Sequence, residues 1–183
     1  MSIKFIMSIV VLFSTFSMAL EDQEEFESEP ESQFLEYSAL TKKLKAKHVE
    51  AGTYATTEQV KKALKADDWL VVDVRNDNEW SAAYIEGTKR VGRQNPERII
   101  KNFCLDFGDD FTRDKVIVLC NSAARASIVA EAFKVMGFKI VMIYDIYTWI
   151  DECNEISNDY TIMSSRKGTG LKFGTFKASH CKK

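Results

Sequence analysis

The chain has 183 residues, 45% of them hydrophobic and 28% charged, with a formal net charge of -2. That length supplies a sizeable core for one domain, and the near-neutral charge excludes a general nucleic-acid binder. Four cysteines in a chain of this length exclude a scaffold built mainly from disulfides.

In chain order, the first element has the form of a secretory signal peptide. Lys4 is a short positive region, residues 5–18 (FIMSIVVLFSTFSM) are apolar, and Ser17-Met18-Ala19 is a small-x-small cleavage site. The alternative is an uncleaved anchor, but about 16 apolar or small residues fall short of the roughly 20 that a spanning helix needs. The expectation is cleavage after Ala19, no stable membrane anchor, and export, most simply to a bacterial periplasm. Residues 20–33 are an acidic leader, expected to be disordered because they have almost no apolar side chain to bury.

Residues 34–53 place Phe34, Leu35, Leu40 and Leu44 at helical spacing, so they read as an N-terminal helical extension. HVEAGTYA, residues 48–55, reads as a short strand. TEQVKKALKADD follows as an amphipathic helix, with Val60 and Leu64 on one face and Thr57 as its N-cap. WLVVDV, residues 69–74, is a buried strand, DNEWSAAYI a short helix and GTKRV an edge strand. NPERIIKNFCLDF opens a helix with Pro96 in its first turn. KVIVLC, residues 115–120, is a second continuous apolar strand. RASIVAEAFKVMG is a helix with Val129, Ala132, Phe133 and Met136 inward and Gly137 as its stop. FKIVMIY is a third strand and IYTWIDECN a closing helix. Apolar strands alternating with helices imply an α/β fold, a parallel sheet flanked by helices on both faces. Residues 157–183 read as a basic, flexible tail; residues 164–183 carry six basic residues and no acidic one.

Chemistry concentrates at Cys120. In an open α/β sheet ligands sit beyond the carboxyl ends of the strands, and Cys120 is at such an end. The small residues after it let backbone N–H groups converge on the sulfur. The helix that begins near Arg125 adds its positive end, and Arg125 adds a full charge. All three favour a thiolate nucleophile; the alternative is a buried structural cysteine at a strand end.

The segment 54–156 resembles the rhodanese-like (sulfurtransferase) domain family. Asp73, Arg75, Glu79 and Trp80 hold the places of a D-x-R-x-x-x-E-[FYW] signature. CNSAARAS resembles the C-x-x-G-x-R-S loop, with Cys120 at the nucleophile position and Arg125 at its last position. MGFKIVMIYDIYTW resembles the segment leading to the family tryptophan, here Trp149. The departures are Tyr84 where the family has histidine, Ala123 where the loop has glycine, and Tyr144-Asp145 where a glycine pair is usual. An alanine at 123 is unstrained only if its φ stays negative.

The resemblance implies a single-domain sulfurtransferase. Cys120 would take a sulfane sulfur from a small donor such as thiosulfate, and a thiol or cyanide acceptor would remove it. Asn121, Ser122, Ala123, Ala124 and Arg125 would bind the substrate and stabilise the persulfide. Asp73, Arg75 and Glu79 are supporting residues, with Arg75 and Glu79 spaced for an ion pair and Asp73 placed to orient loop amides. No metal or organic cofactor is implied, and the oligomeric state is open. The rival readings are a non-catalytic module on the same fold and a cysteine phosphatase. The phosphatase needs an arginine six residues after the cysteine, where this chain has Ala126. A thiol-disulfide enzyme lacks its C-x-x-C. Among Cys104, Cys153 and Cys181 an oxidising compartment invites one disulfide, and the pairing is open. His180-Cys181 is a weak metal motif, and Cys181 a weak candidate to resolve the persulfide.

Overall fold

The computed structural model describes residues 34–106, 110–158 and 174–181. The chain divides into units Met1–Phe34 and Leu35–Lys183, and the fold lies in the second. The expected signal peptide (1–19) and acidic leader (20–33) lie outside the described residues.

The centre is a four-stranded, wholly parallel sheet. Its strands are β1 (Trp69–Asp73), β2 (Lys89–Arg90), β3 (Lys115–Cys120) and β4 (Ile140–Asp145), in the order β2-β1-β3-β4. The apolar runs form strands because both of their faces are covered. Side chains alternate between two cores. Leu70, Val72, Val116, Val118, Cys120, Val141 and Ile143 enter one; Val71, Ile117, Leu119, Met142 and Tyr144 enter the other. Burial of each such side chain contributes about 1.5–3 kcal/mol.

Six helices surround the sheet among the described residues: α1 (Tyr37–Glu50), α2 (Thr57–Ala63), α3 (Asp77–Ala82), α4 (Pro96–Cys104), α5 (Ala124–Val135) and α6 (Ile146–Asp151). α4 and α5 supply Ile100, Cys104, Ala126, Val129, Ala130 and Phe133 to the first core. α2 and α6 supply Val60, Ala63, Ile146 and Trp149 to the second. Gly137 ends α5 at φ +97°, the left-handed position that favours glycine. None of these helices is long and apolar enough to cross a membrane.

The local expectations need four corrections. The N-cap of α2 is Thr56, whose Oγ1 accepts from the Gln59 N–H at 3.3 Å while Gln59 Oε1 accepts from the Thr56 N–H at 2.8 Å. Thr57 is instead buried, with its hydroxyl 2.6 Å from that of Tyr144. HVEAGTYA does not form a separate strand: His48 to Glu50 close α1, and residues 53–55 lie along β4 through a parallel bridge at Tyr54 and Ile143. Ala132 is only half-buried, whereas Met136, also half-buried, packs inward against the first core; the wholly buried positions of α5 are Ala126, Ser127, Val129, Ala130 and Phe133.

The fourth correction concerns residues 157–158 and 174–181, which are not a flexible tail. β5 (Ile156–Asn158) and β6 (Gly174–Phe176) pair antiparallel, β5 also bridges Tyr84, and Cys153 is bonded to Cys181. Those contacts are between residues distant in the chain, which is why the polar composition alone misleads.

Candidate active site

Cys120 is the last residue of β3, directly across the ladder from Asp145 at the end of β4. It is 1% exposed. The loop then turns through Asn121, Ser122 and Ala123 into α5. Ser122 is the exposed residue of that loop, and Asn121, Ala124 and Arg125 are half-buried. Ala123 is the N-cap of α5 and stands at φ 59°, ψ 1°, with no side-chain cap. A helix start leaves its first N–H groups without intrahelical acceptors, so the uncapped end of α5 offers donors and a positive dipole beside the sulfur.

Ala123 therefore occupies the strained alternative: the left-handed region costs a residue with a Cβ about 1–2 kcal/mol. Its methyl is wholly buried. Ala123→Val adds a β-branch at that φ and overfills the core, at about 1–3 kcal/mol. A thermal melt should show a fall of about 5 °C; an unchanged melting temperature would contradict the strained geometry.

The supporting residues pair differently from their spacing. Arg75 does not meet Glu79. Its Nε lies 3.0 Å from both carboxylate oxygens of Asp73, and its NH2 2.7 Å from Oδ2. It also donates to the Ala83 carbonyl at 2.5 Å and to Asn121 Oδ1 at 3.4 Å. Asp73 in turn accepts from the Arg75 backbone N–H, so it orients Arg75 and not the 121–125 amides. A guanidinium fork matches a carboxylate two residues away better than one a helical turn ahead, once both are buried.

Glu79 instead reaches across the fold to Arg125, accepting from NH1 at 2.5 Å and NH2 at 2.7 Å, and accepts from Asn121 Nδ2 at 2.5 Å. Glu79 first, and then the charge of Cys120, push the Arg125 pKa upward. The Arg125 contact holds Glu79 well below the usual carboxylate range, at about 2. Glu79 thus carries a depressed folded pKa. Its contribution is present above about 4.5 and is lost as pH falls towards about 2. Wild type and Glu79→Gln should differ in melting temperature at pH 7 and converge near pH 2; a gap independent of pH would contradict the pairing.

Three nearby features were not anticipated. Asp145 takes Tyr54 Oη at 2.9 Å, Thr148 N at 2.8 Å and Thr148 Oγ1 at 3.0 Å. Burial first, and then the Asp145 hydrogen bond, push the Tyr54 pKa up, and Cys120 adds to this. Tyr84, at the family histidine position, stacks on Trp80 with ring centroids 4.2 Å apart. A cleft of about 390 Å³ opens beside Arg75 and is lined also by Arg90 and Arg93, but not by Cys120.

Cys104 is free and buried, like Cys120. The ligand atoms of Cys153, His180 and Cys181 lie within 4.8 Å of one another, but the two sulfurs are bonded together and offer no thiolate for a metal. The same bond leaves Cys181 without a free thiol to resolve a persulfide.

A family model, the rhodanese-like domain, matches residues 56–146. The chain carries a domain of the rhodanese-like family. Its four parallel strands, helices α2 to α5 and the Cys120–Arg125 loop fall in that match, and α1 lies before it. Tyr54, Trp149 and the β5–β6 pair lie outside it.

Among curated proteins, it is 32% identical over 91 residues to tRNA uridine(34) hydroxylases of Streptococcus pyogenes and Streptococcus agalactiae. The match covers 47% of this chain and 27% of each relative, so the chain spans about a quarter of their length.

Among solved structures, it is similar to the polysulfide-sulfur transferase homodimer of Wolinella succinogenes, at 22% identity and TM-score 0.47. That match covers 63% of this chain and 84% of the other. It is also similar to a Rhodopseudomonas palustris protein described as a possible tyrosine phosphatase, at 19% identity and TM-score 0.47, with coverages of 68% and 96%.

Proposed function

We propose that this rhodanese-like protein is an exported sulfurtransferase that carries sulfane sulfur on Cys120. The observation that supports the reading best is the position of Cys120 at the end of β3, where the loop turns into the uncapped start of α5 and Arg125 follows in its first turn. An anion on that sulfur meets both helix donors and a cation.

The reaction has two displacements. The Cys120 thiolate attacks the outer sulfur of thiosulfate, the S–S bond breaks, and sulfite leaves with the bonding pair. The product is a Cys120 persulfide, with its negative charge on the terminal sulfur beside the loop amides and Arg125. A thiolate or cyanide then attacks that terminal sulfur, and the Cys120 thiolate leaves. A persulfide or thiocyanate is released, and the enzyme returns unchanged. Asn121, Ser122, Ala123 and Ala124 line the path of the added sulfur. Glu79 and the Asp73–Arg75 pair hold Asn121 and Arg125 in place. Export fits the Cys153–Cys181 bond, since disulfides persist in oxidising compartments. A nucleic-acid substrate is not part of the reading, given the net charge of -2.

The second reading is a non-catalytic module, favoured by the burial of Cys120 and the strain at Ala123. Both, and the phosphatase rival, are tested on one preparation with thiosulfate plus cyanide and with an aryl phosphate. Thiocyanate without phosphate release is expected. Phosphate release without thiocyanate would overturn the reading, and failure of both would favour the module.

A further inference from the structure

Arg125 is an incomplete receptor for an anionic donor. Both of its terminal nitrogens are taken by the Glu79 carboxylate. Arg75 is likewise held by Asp73, and Asp145 adds a further carboxylate across the ladder from Cys120. A doubly negative donor approaching a Cys120 thiolate meets little uncompensated positive charge from these residues.

The missing charge comes from outside the family match. The buried residues of α1 are Thr41 and His48. With Lys45 between them they form a 41, 45, 48 stripe, spaced four and three apart, which is one helix face. That face is fixed on α5. Lys47 Nζ is 3.0 Å from Glu131 Oε2, Lys134 Nζ is 3.4 Å from His48 Nε2, and His48 Nδ1 is 2.8 Å from Thr53 Oγ1. Lys45 is the long side chain of the stripe, and its Nζ lies 3.4 Å from the carbonyl of Ser122, the exposed residue of the Cys120 loop. At that length the contact is a weak hydrogen bond; its value is the place where it puts an ammonium. Lys45 has no carboxylate partner among the described residues, so its charge is available to a ligand.

We propose that Lys45 is the cation that recruits the anionic sulfur donor to Cys120. This rests on the sulfurtransferase reading for its substrate class, but the placement of charge is independent of it. The mouth of the site is then built jointly by the rhodanese-like domain and the helix that precedes it. A lysine suits this role because an ammonium on a flexible stem can follow a small oxyanion into the loop and release it after transfer.

The test compares wild type with Lys45→Ala, Lys45→Glu and Lys45→Arg by two readouts. The first is alkylation of Cys120 by iodoacetate and by iodoacetamide, mapped by peptide mass to separate it from Cys104. The ratio of the two rates reports local charge and cancels the nucleophilicity of the thiol. Lys45→Ala should lower the iodoacetate to iodoacetamide ratio about fivefold at low salt, an ordinary effect for an exposed charge. Lys45→Glu should lower it further, Lys45→Arg should keep it, and high salt should shrink all the differences. The second readout is turnover of thiosulfate, where Lys45→Ala should raise KM with kcat nearly unchanged. A changed ratio with no sulfur transfer by wild type would support the charge and refute the sulfurtransferase reading. Sulfur transfer with the ratio and KM both unchanged in Lys45→Ala and Lys45→Glu would overturn the role of Lys45.

Discussion

Asp73→Ala should lower stability by about 3–5 kcal/mol, because it strands a buried cation. Asp73 is 0% exposed and Arg75 3% exposed. The carboxylate takes three N–H groups of that arginine, counting its backbone. With the carboxylate removed, Arg75 keeps, among the described residues, the Ala83 carbonyl and the long Asn121 contact. The loss is a large share of the roughly 5–15 kcal/mol that holds a typical domain together. A melting temperature lower by about 10 °C is expected. Asp73→Asn keeps the shape and part of the hydrogen bonding and should fall between the two. If Asp73→Ala melted within about 2 °C of wild type, the pair would not be the buried support described here.

Cys120→Ser should reduce thiocyanate formation to the uncatalysed background, a loss of more than about a thousandfold. A serine hydroxyl in the same place is a far weaker nucleophile toward sulfur and cannot carry a persulfide. The fold should survive, since Cys120 and serine are close in size, although a hydroxyl replaces a thiol in the buried cluster that includes Val118 and Ala126. A normal melt with no turnover is therefore the expected pair of results. Turnover that persists in this variant and is lost instead in Cys104→Ser would move the reaction to the other free thiol.

The sheet was legible because its strands are unbroken apolar runs that both cores require. KVIVLC ends at the residue where β3 ends, and that alone located the loop and the start of α5. The partners of the charged residues were less legible. Spacing of four joins Arg75 to Glu79, yet Arg75 finds a buried carboxylate at Asp73, and Glu79 is left to reach Arg125, 46 residues away. Lys45 and Ser122 are 77 residues apart; only the docking of α1 on α5 brings them together. Composition also mistook residues 174–181 for free chain, since the β5–β6 pairing and the Cys153–Cys181 bond join residues far apart in the sequence. The residues that departed from the family pattern were visible, but not their consequences. Tyr144 is wholly buried with its hydroxyl on Thr57, and Asp145 caps α6 beside the nucleophile.

The most direct test is intact mass measurement of the purified protein after incubation with thiosulfate, followed by peptide mapping. One added sulfur, about 32 Da, on the peptide that contains Cys120 and removable by cyanide, is the result expected of a persulfide carrier. An unmodified Cys120 under those conditions, or the added sulfur on Cys104 in its place, would contradict the account.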